Sequence, residues 1–149
     1  MFRRPANARH RCVTNNAVPD NQSESFFAIT LSASLSVSAL DASLAWYRDV
    51  LGLTVTRTHD RAGKMFAVSL KAGDVAILLT QDDGAKGADR QKGEGISLML
   101  TTAQNIDALA AAIKERGGVL ASEPADAMGA RVFRLRDPDG FKLVNSSQR

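Results

Sequence analysis

The sequence predicts an α+β fold made of two βαβββ modules, related by a pseudo-twofold axis, whose eight strands form a curved cup. Three observations lead to this prediction. Residues 31–37 alternate apolar residues with serines, which is the two-residue period of a strand with one apolar face. A helical segment then ends at Gly52. The same succession of elements starts again 65 residues later, so that Gly52 corresponds to Gly117 and Ser32 to Ser97.

The composition is typical of one folded domain. Of the 149 residues 44% are hydrophobic, which is enough for a core. No apolar run approaches the roughly 20 residues of a membrane span, so we expect no membrane association. The net charge is +3, of which +2 falls in residues 1–29. The nearly neutral remainder gives no reason to expect nucleic-acid binding.

We expect residues 1–29 to form a disordered N-terminal extension, because they are polar and without periodicity. An organellar presequence is the alternative, whereas a secretory signal would need an apolar segment that this stretch does not contain. The single cysteine, Cys12, cannot form an intrachain disulfide, which is compatible with a cytoplasmic location. Residues 30–147 are predicted to form one domain, with modules at 30–81 and 95–146.

The elements of the first module follow from periodicity. Large apolar residues recur on one face of a helix from Leu40 to Leu51. Gly52 ends this helix because glycine adopts a left-handed backbone without strain. The helix packs on the outer side of the sheet, so we interpret Trp46 and Tyr47 as core or dimer-contact residues rather than ligand-stacking ones. The predicted strands are 30–37, 53–59, 65–71 and 75–81.

The second module follows a polar segment, 82–94, with three glycines and seven charged residues. We interpret this segment as a linker or a mobile flap. The last two strands are joined by a tight turn at 137–140, where Pro138 has the φ that the turn needs and Gly140 can take a positive φ. The predicted elements are strands at 95–102, 119–122, 131–136 and 141–146, with a helix at 105–116.

Strand alternation predicts a concave face of small polar groups. If Ser32 and Ser34 face the cup, alternation adds threonines from the second strand, including Thr58. Such a face suits a moderately polar organic ligand held by hydrogen bonds and thioether contacts, while an ordinary solvated face is the alternative. The predicted ligand-binding residues are Ser32, Ser34, Thr54, Thr56, Ser97, Met99 and Arg134.

Two arginines alternate with apolar residues on the strand before the turn. Arg134 is placed to bind a carboxylate or phosphate through bidentate hydrogen bonds, although a surface ion pair explains it equally well. For Arg136 we favour an ion pair with Asp137 and Asp139. His59 stands at a strand end, where a solvated side chain is the simpler interpretation and a general base the alternative.

The segments LDASLAWYRDVLGL (40–53) and RLRDPDGFKL (134–143) resemble the vicinal oxygen chelate superfamily, which includes glyoxalase I, extradiol dioxygenases and bleomycin- and fosfomycin-resistance proteins. The resemblance covers residues 30–146. It implies paired βαβββ modules that form an eight-stranded cup, often completed by a second chain, so we expect a homodimer. Fold alone does not fix activity in such a family.

The resemblance also implies where a divalent metal would be held in enzymes of this kind. The four ligand positions fall on Ser32, on Leu78 or Leu79, on Ser97 and on Val144. Neutral hydroxyl groups are poor ligands for such metals, and aliphatic side chains are none. The sequence contains two histidines, His10 and His59, and His10 lies in the expected extension. We therefore expect no metal and no cofactor.

The sequence thus predicts a metal-independent protein that sequesters or senses a small organic ligand, in the manner of bleomycin-resistance-type binders. Bleomycin itself is not favoured, because a cationic drug calls for an acidic cavity. One alternative is a metal-independent lyase, isomerase or epimerase that uses His59, Arg134 or a loop carboxylate. Another is a non-catalytic interaction module.

Overall fold

The protein is described here by a computed structural model, which covers Phe26 and residues 28–148. Of the expected N-terminal extension, Phe26, Ala28 and Ile29 are described, and these three lie in no helix or strand. Cys12 and His10 lie outside the described residues. The unit discussed below begins at Leu31. Within the described residues, no helix combines the length and the apolar character needed to span a membrane.

Each module has the predicted βαβββ order. The first consists of β1 (Ala33–Val37), α1 (Leu40–Ala45), a π-helical segment (Trp46–Leu51), β2 (Thr54–Arg61), β3 (Lys64–Ala72) and β4 (Val75–Gln81). The second consists of β5 (Ser97–Thr102), α2 (Ile106–Glu115), β6 (Leu120–Ala127), β7 (Ala130–Arg136) and β8 (Lys142–Ser147).

Each module forms its own four-stranded mixed sheet. The strand order is β1-β4-β3-β2 in the first sheet and β5-β8-β7-β6 in the second. The first strand of each module pairs in parallel with its last strand, and the remaining pairs are antiparallel. The two sheets therefore have the same topology, as the 65-residue repeat predicts.

Several boundaries differ from the predicted ones for local reasons. β1 starts at Ala33, and Leu31 before it is exposed instead of continuing the apolar face. The first helix ends in a π-helical turn, in which the N–H groups of Gly52 and Leu53 both donate to the Tyr47 carbonyl oxygen. β6 continues past the predicted end to Ala127, because an irregularity between Ser122 and Ala125 accommodates Pro124, which has no N–H to donate.

One hydrophobic core is shared by the two modules. It joins the inner faces of both sheets to the inner faces of both helices, and Tyr47 and Phe133 are its largest fully buried side chains. Tyr47 was predicted to be a core or a dimer-contact residue, and the structure places it in the core. Trp46 packs edge-on against it, with ring centroids 5.0 Å apart. Because the apolar faces meet in this core, the opposite, polar faces of the two sheets point away from it.

The modules are also joined by polar contacts across the seam between them. The Tyr47 hydroxyl donates to Asp137 Oδ2 at 3.0 Å. The Ser38 N–H donates to Asp139 Oδ2 at 3.0 Å, and Arg116 Nε donates to the Val50 carbonyl oxygen at 2.9 Å. Each contact pairs a residue near the first helix with one of the second module, so the seam has a specific register.

Asp137 is the most buried acidic residue of the seam, at 5% exposure. Its Oδ1 accepts hydrogen bonds from the backbone N–H groups of Asp139 and Phe141, at 3.0 and 2.7 Å. Burial raises the pKa of this carboxyl above its ordinary value, and the hydrogen bonds from Phe141 and Tyr47 oppose that rise. Burial, and then the neighbouring Asp137 carboxylate, likewise raise the pKa of Tyr47.

The segment 82–94 between the modules is anchored at both ends. Lys92, whose side chain is 5% exposed, donates to Asp82 Oδ2 at 2.6 Å. Gly93 is buried at a φ of +71°, where an added Cβ would lie 2.8 Å from the Phe141 Cα atom. Only glycine fits this close approach, so the end of the segment is held against the second module.

Candidate functional site

The polar face of the first sheet carries serines, as the sequence predicts. Residues directly opposite each other in a ladder share a face, so the strand register defines its rows. One row is Ser34, Leu78, Ser69 and Arg57, and the next is Ser36, Thr80, Ala67 and His59. Ser32 precedes β1 and is exposed, so it lies just outside the paired part of this face.

A β-bulge in β2 corrects the predicted alternation. Thr54 lies opposite Lys71 on the polar face, but the register shifts between Val55 and Arg57. Thr56 lies in the bulge, where its hydroxyl donates to the Ser69 carbonyl oxygen at 3.1 Å. The placement of Thr58 on the polar face was wrong, because it lies opposite the fully buried Val68.

The same bulge brings His59 onto the polar face. Its Nε2 lies 3.2 Å from the Ser69 hydroxyl oxygen, and the two residues belong to neighbouring rows. Simple alternation along the sequence assigns His59 to the opposite face. A bulge inserts one residue into one strand only, and the sequence of β2 contains no Gly or Pro that would have indicated its position.

The polar face of the second sheet carries an exposed apolar residue on its edge strand and three cations on the two strands beside it. Met99 lies on β5 with 73% exposure, opposite Val144, which in turn lies opposite Arg134. The neighbouring row consists of Ser97, Lys142 and Arg136. Three of the predicted binding residues, Ser97, Met99 and Arg134, therefore share one face. The sequence analysis missed Lys142, whose alternation with Val144 on the last strand was available as a signal.

Within the described residues, none of these three cations has an ion-pair partner at up to 4.0 Å. The expected pairing of Arg136 with the aspartates of the turn does not form. Asp137 accepts from Tyr47 and Asp139 from Ser38, while Arg136 donates to the Gly140 carbonyl oxygen at 3.3 Å. These cations are thus free of direct ion pairs within the described residues, although Asp89, Glu94 and Asp139 line a shallow cavity together with Arg136 and Lys142.

One further polar group next to these cations has no partner. Ser122 lies opposite Arg134 in the ladder between β6 and β7. Its hydroxyl oxygen is buried and makes no hydrogen bond to any described residue. A buried hydroxyl group without a partner is uncommon in native proteins.

The residues at the implied metal positions do not fit a divalent metal. The register places Leu78 on the polar face and Leu79 in the core, which settles the choice between them. The set on or beside the polar faces is thus Ser32, Leu78, Ser97 and Val144, which contains no imidazole or carboxylate. Among the described residues, no group of three or more His, Cys, Asp or Glu is arranged to hold a metal ion.

A cavity of about 620 Å³ adjoins the first polar face, between the β2–β3 hairpin and the segment 82–94. Three basic residues of its wall, Arg61, Lys64 and Lys86, have no ion-pair partner within the described part of the chain. The Arg61 guanidinium lies 4.8 Å from the centroid of the half-exposed Phe66 ring. The wall also contains Arg90, Asp82 and Asp83, so its formal charge is positive.

The chain is similar in sequence and in structure to known proteins. A probable lactoylglutathione lyase of Vibrio cholerae is 28% identical over 123 residues, covering 76% of this chain and 88% of that protein. Among solved structures, TnmS3, an antibiotic binding protein from Streptomyces sp. CB03234, superimposes with a TM-score of 0.65 at 20% identity, covering 83% of this chain and 100% of TnmS3. A member of the Glyoxalase/bleomycin resistance protein/dioxygenase superfamily from Sphaerobacter thermophilus superimposes with a TM-score of 0.65 at 22% identity, covering 82% of this chain and 98% of that one.

The sequence profile of the Glyoxalase/Bleomycin resistance protein/Dioxygenase superfamily matches residues 29–144, which is most of the chain. The match spans both modules, the two repeated helices and the turn before β8. With the paired βαβββ topology and the resemblance of the two sequence segments, it makes this chain a member of that superfamily.

Proposed function

We propose that the protein binds a small organic anion on its polar sheet faces without the help of a metal. The observation that carries this proposal is the second polar face, where Arg134, Arg136 and Lys142 lie on the two strands beside the exposed Met99 and have no ion-pair partner among the described residues. A guanidinium binds carboxylate or phosphate through two parallel hydrogen bonds. The thioether and Val144 supply an adaptable apolar contact for the body of the ligand.

We further propose that two copies of the chain form the binding cup. In one chain the polar faces point away from the shared core, so neither face is closed by the other module. A second copy would place its first polar face, with Ser34 and Ser69, opposite the second face of its partner. This arrangement encloses the ligand and buries Met99, which is unusually exposed for a residue at the centre of a strand.

The expected role is sequestering or sensing the ligand, in the cytoplasm. The likeness to TnmS3, described as an antibiotic binding protein, supports a binding role, and the single cysteine is compatible with a reducing compartment. The positive charge of the second face extends the sequence prediction, since it favours an anionic ligand over a cationic or neutral one.

A screen of aromatic and aliphatic carboxylates, phosphates and sulfonates by thermal shift tests the proposal. A ligand present at 100 times its Kd stabilises the folded state by about 2.7 kcal/mol, which is readily measured. For any hit, Arg134→Ala should weaken binding about 10- to 100-fold, because it removes a charge-assisted hydrogen bond worth about 1.5–3 kcal/mol. Arg48→Ala is the matched control, since Arg48 lies on the first helix and pairs with Asp49. Equal loss in both variants would contradict the proposed site.

Two measurements test the other parts of the proposal. Metal analysis of the purified protein should find no stoichiometric transition metal. A bound metal that is lost in Ser97→Ala would refute the hypothesis that ligand binding needs no metal. Light scattering coupled to size exclusion should give the mass of two chains. Met99→Glu should shift that mass towards one chain, because it places a charge at the centre of the proposed contact. A monomeric wild type that still binds the ligand would refute the shared cup.

A second candidate function is a metal-independent lyase, isomerase or epimerase. The observation that favours it is the His59 Nε2 within 3.2 Å of the Ser69 hydroxyl on the polar face, a pair suited to moving a proton. The likeness to a probable lactoylglutathione lyase is compatible with this candidate. Turnover of a bound hit that is lost in His59→Gln, with binding retained, would favour the enzyme over the binder.

A further inference from the structure

The seam between the modules contains a cavity that the proposed function does not use. It has a volume of about 750 Å³ and lies between the β3–β4 turn, the start of β2, the end of β5 and α2. Ser34, Met99 and Arg134 are not among its lining residues. The cavity adjoins the shared core rather than the centres of the polar faces, so a molecule held here would not compete with one bound beside Arg134.

Asn145 is a buried amide in the wall of this seam cavity. It is 4% exposed, and its Nδ2 is fully buried without a hydrogen-bond partner among the described residues. Its neighbours in the ladder, Leu100 and Phe133, are apolar. A buried donor left without an acceptor is costly, so native proteins rarely retain one unless water or a ligand satisfies it. An apolar residue would fit the core here, so the unpaired amide is a polar feature of the cavity wall that the core packing does not require.

Arg116 supplies a cation to the same cavity. Its Nε is fixed by the Val50 carbonyl oxygen at 2.9 Å, and its Nη2 lies beside Gly52, 3.6 Å from where a Cβ would stand. No carboxylate of the described residues lies within ion-pair distance of it. A guanidinium that is fixed at Nε still has both Nη groups available for a carboxylate.

The remaining lining sets the class of ligand. The apolar part is aliphatic, formed by Leu51, Leu53, Val75, Leu100 and Leu109. Asp74 also lies in the wall, so the formal charge of the lining is balanced. A single carboxylate placed beside Arg116 is attracted to the guanidinium. A second carboxylate in the same ligand would find no further cation in the lining and would be repelled by Asp74.

We propose that the seam cavity is a second ligand site, which takes an aliphatic monocarboxylate bearing a hydroxyl or carbonyl group along its chain. The carboxylate binds Arg116, the aliphatic chain covers the leucines, and the hydroxyl or carbonyl group pairs with the Asn145 side-chain amide. This site is independent of the anion site on the polar faces.

Isothermal titration calorimetry with 3-hydroxyoctanoate, octanoate, octanedioate and 1-octanol tests the proposal. We expect 3-hydroxyoctanoate to bind once per chain and at least fivefold more tightly than octanoate, with octanedioate and 1-octanol weaker than both. Arg116→Gln should weaken 3-hydroxyoctanoate at least tenfold, whereas Arg48→Gln and Arg134→Ala should leave it unchanged. The Arg134 control separates this site from the proposed function, because each site can fail without the other.

Two variants keep the test valid if Arg116→Gln disturbs the seam. Leu109→Phe places a larger side chain in the cavity lining, so it should block binding without changing a polar group. Asn145→Leu should abolish the preference for 3-hydroxyoctanoate over octanoate while raising the Tm of the free protein, since it removes the unsatisfied amide. The proposal is overturned if none of the probes binds, if Leu109→Phe and Arg116→Gln leave binding unchanged, or if Arg134→Ala alone removes it. A lower Tm in Asn145→Leu would show a structural role for the amide instead.

Discussion

The substitution Tyr47→Phe tests how the two modules are held together. It removes one hydroxyl group, which donates to Asp137 Oδ2 at 3.0 Å between two buried side chains, and it keeps the ring that packs against Trp46. Oδ1, the other carboxylate oxygen of Asp137, keeps its two backbone donors, so only Oδ2 loses a partner. A hydrogen bond to a charged group is worth about 1.5–3 kcal/mol. We therefore expect a loss of about 2 kcal/mol, or about 8 °C in Tm for a domain of this size.

The cost of Tyr47→Phe should depend on pH. Burial raises the pKa of Asp137 above its ordinary 3.8, so the stability linked to its protonation is fully present below that value and is lost as pH rises through the folded-state pKa. The variant lacks the hydroxyl that stabilises the carboxylate, so its Asp137 pKa is higher still and it loses more stability over the same window. The difference in free energy of unfolding between wild type and variant should therefore grow as pH rises from about 4 to 7.

Urea unfolding followed by circular dichroism at pH 4, 5.5 and 7 measures this effect. Ser36→Ala is the control, because it removes an exposed hydroxyl and should change stability by less than about 0.5 kcal/mol. In an Asp137→Asn background the cost of Tyr47→Phe should fall to about 1 kcal/mol, the value of a neutral hydrogen bond. A cost below about 0.5 kcal/mol at pH 7, or one that does not change with pH, would refute the hypothesis that Tyr47 donates to a buried, ionised Asp137.

Three further predictions concern the seam, the linker and an exposed ion pair. Gly118→Ala should destabilise by about 1–3 kcal/mol in urea unfolding, because the new Cβ would lie 2.9 Å from Val50 Cγ1 and closer still to Ile113; an unchanged midpoint would contradict the close packing. Lys92→Met should raise the pKa of Asp82, which a hydrogen bond from Lys92 now lowers, and should speed proteolysis within 82–94 about tenfold relative to a Lys86→Met control. Arg131→Lys should raise the Asp107 pKa measured by NMR titration, since the two-fold contact of the guanidinium now lowers it; an unchanged pKa would exclude that contact in solution.

The sequence predicted the elements that depend on local periodicity and on the residues that form turns and helix ends. The first helix ends at Gly52 as predicted, with φ +92°, and the second helix begins within the predicted range, where Asn105 accepts from the Ala108 N–H. Both follow from short-range rules, since caps and glycine turns need only their own neighbours. For Tyr47 a core position or a dimer contact was predicted on the same basis, from its place on one helix face.

The polar faces were predictable only in part, because face assignments depend on the register between strands. One inserted residue in β2 placed His59 on the polar face and moved Thr58 off it. The partners of the arginines depend likewise on distant residues, because Asp137 is taken by Tyr47, 90 positions away. No pattern within a strand reports such long-range competition for a carboxylate.

By itself the sequence determined the repeated βαβββ modules, the superfamily and the serine and aliphatic residues at the positions where the resemblance implies metal ligands. These are properties of residue type and spacing, which are fixed before the chain folds. Only the tertiary structure decided which cations near Met99 lack an ion-pair partner among the described residues, that Asn145 and Arg116 line a common cavity, and that the polar faces point away from the shared core. Each of these depends on how two sheets and two helices pack, and packing brings together residues that are far apart in the chain.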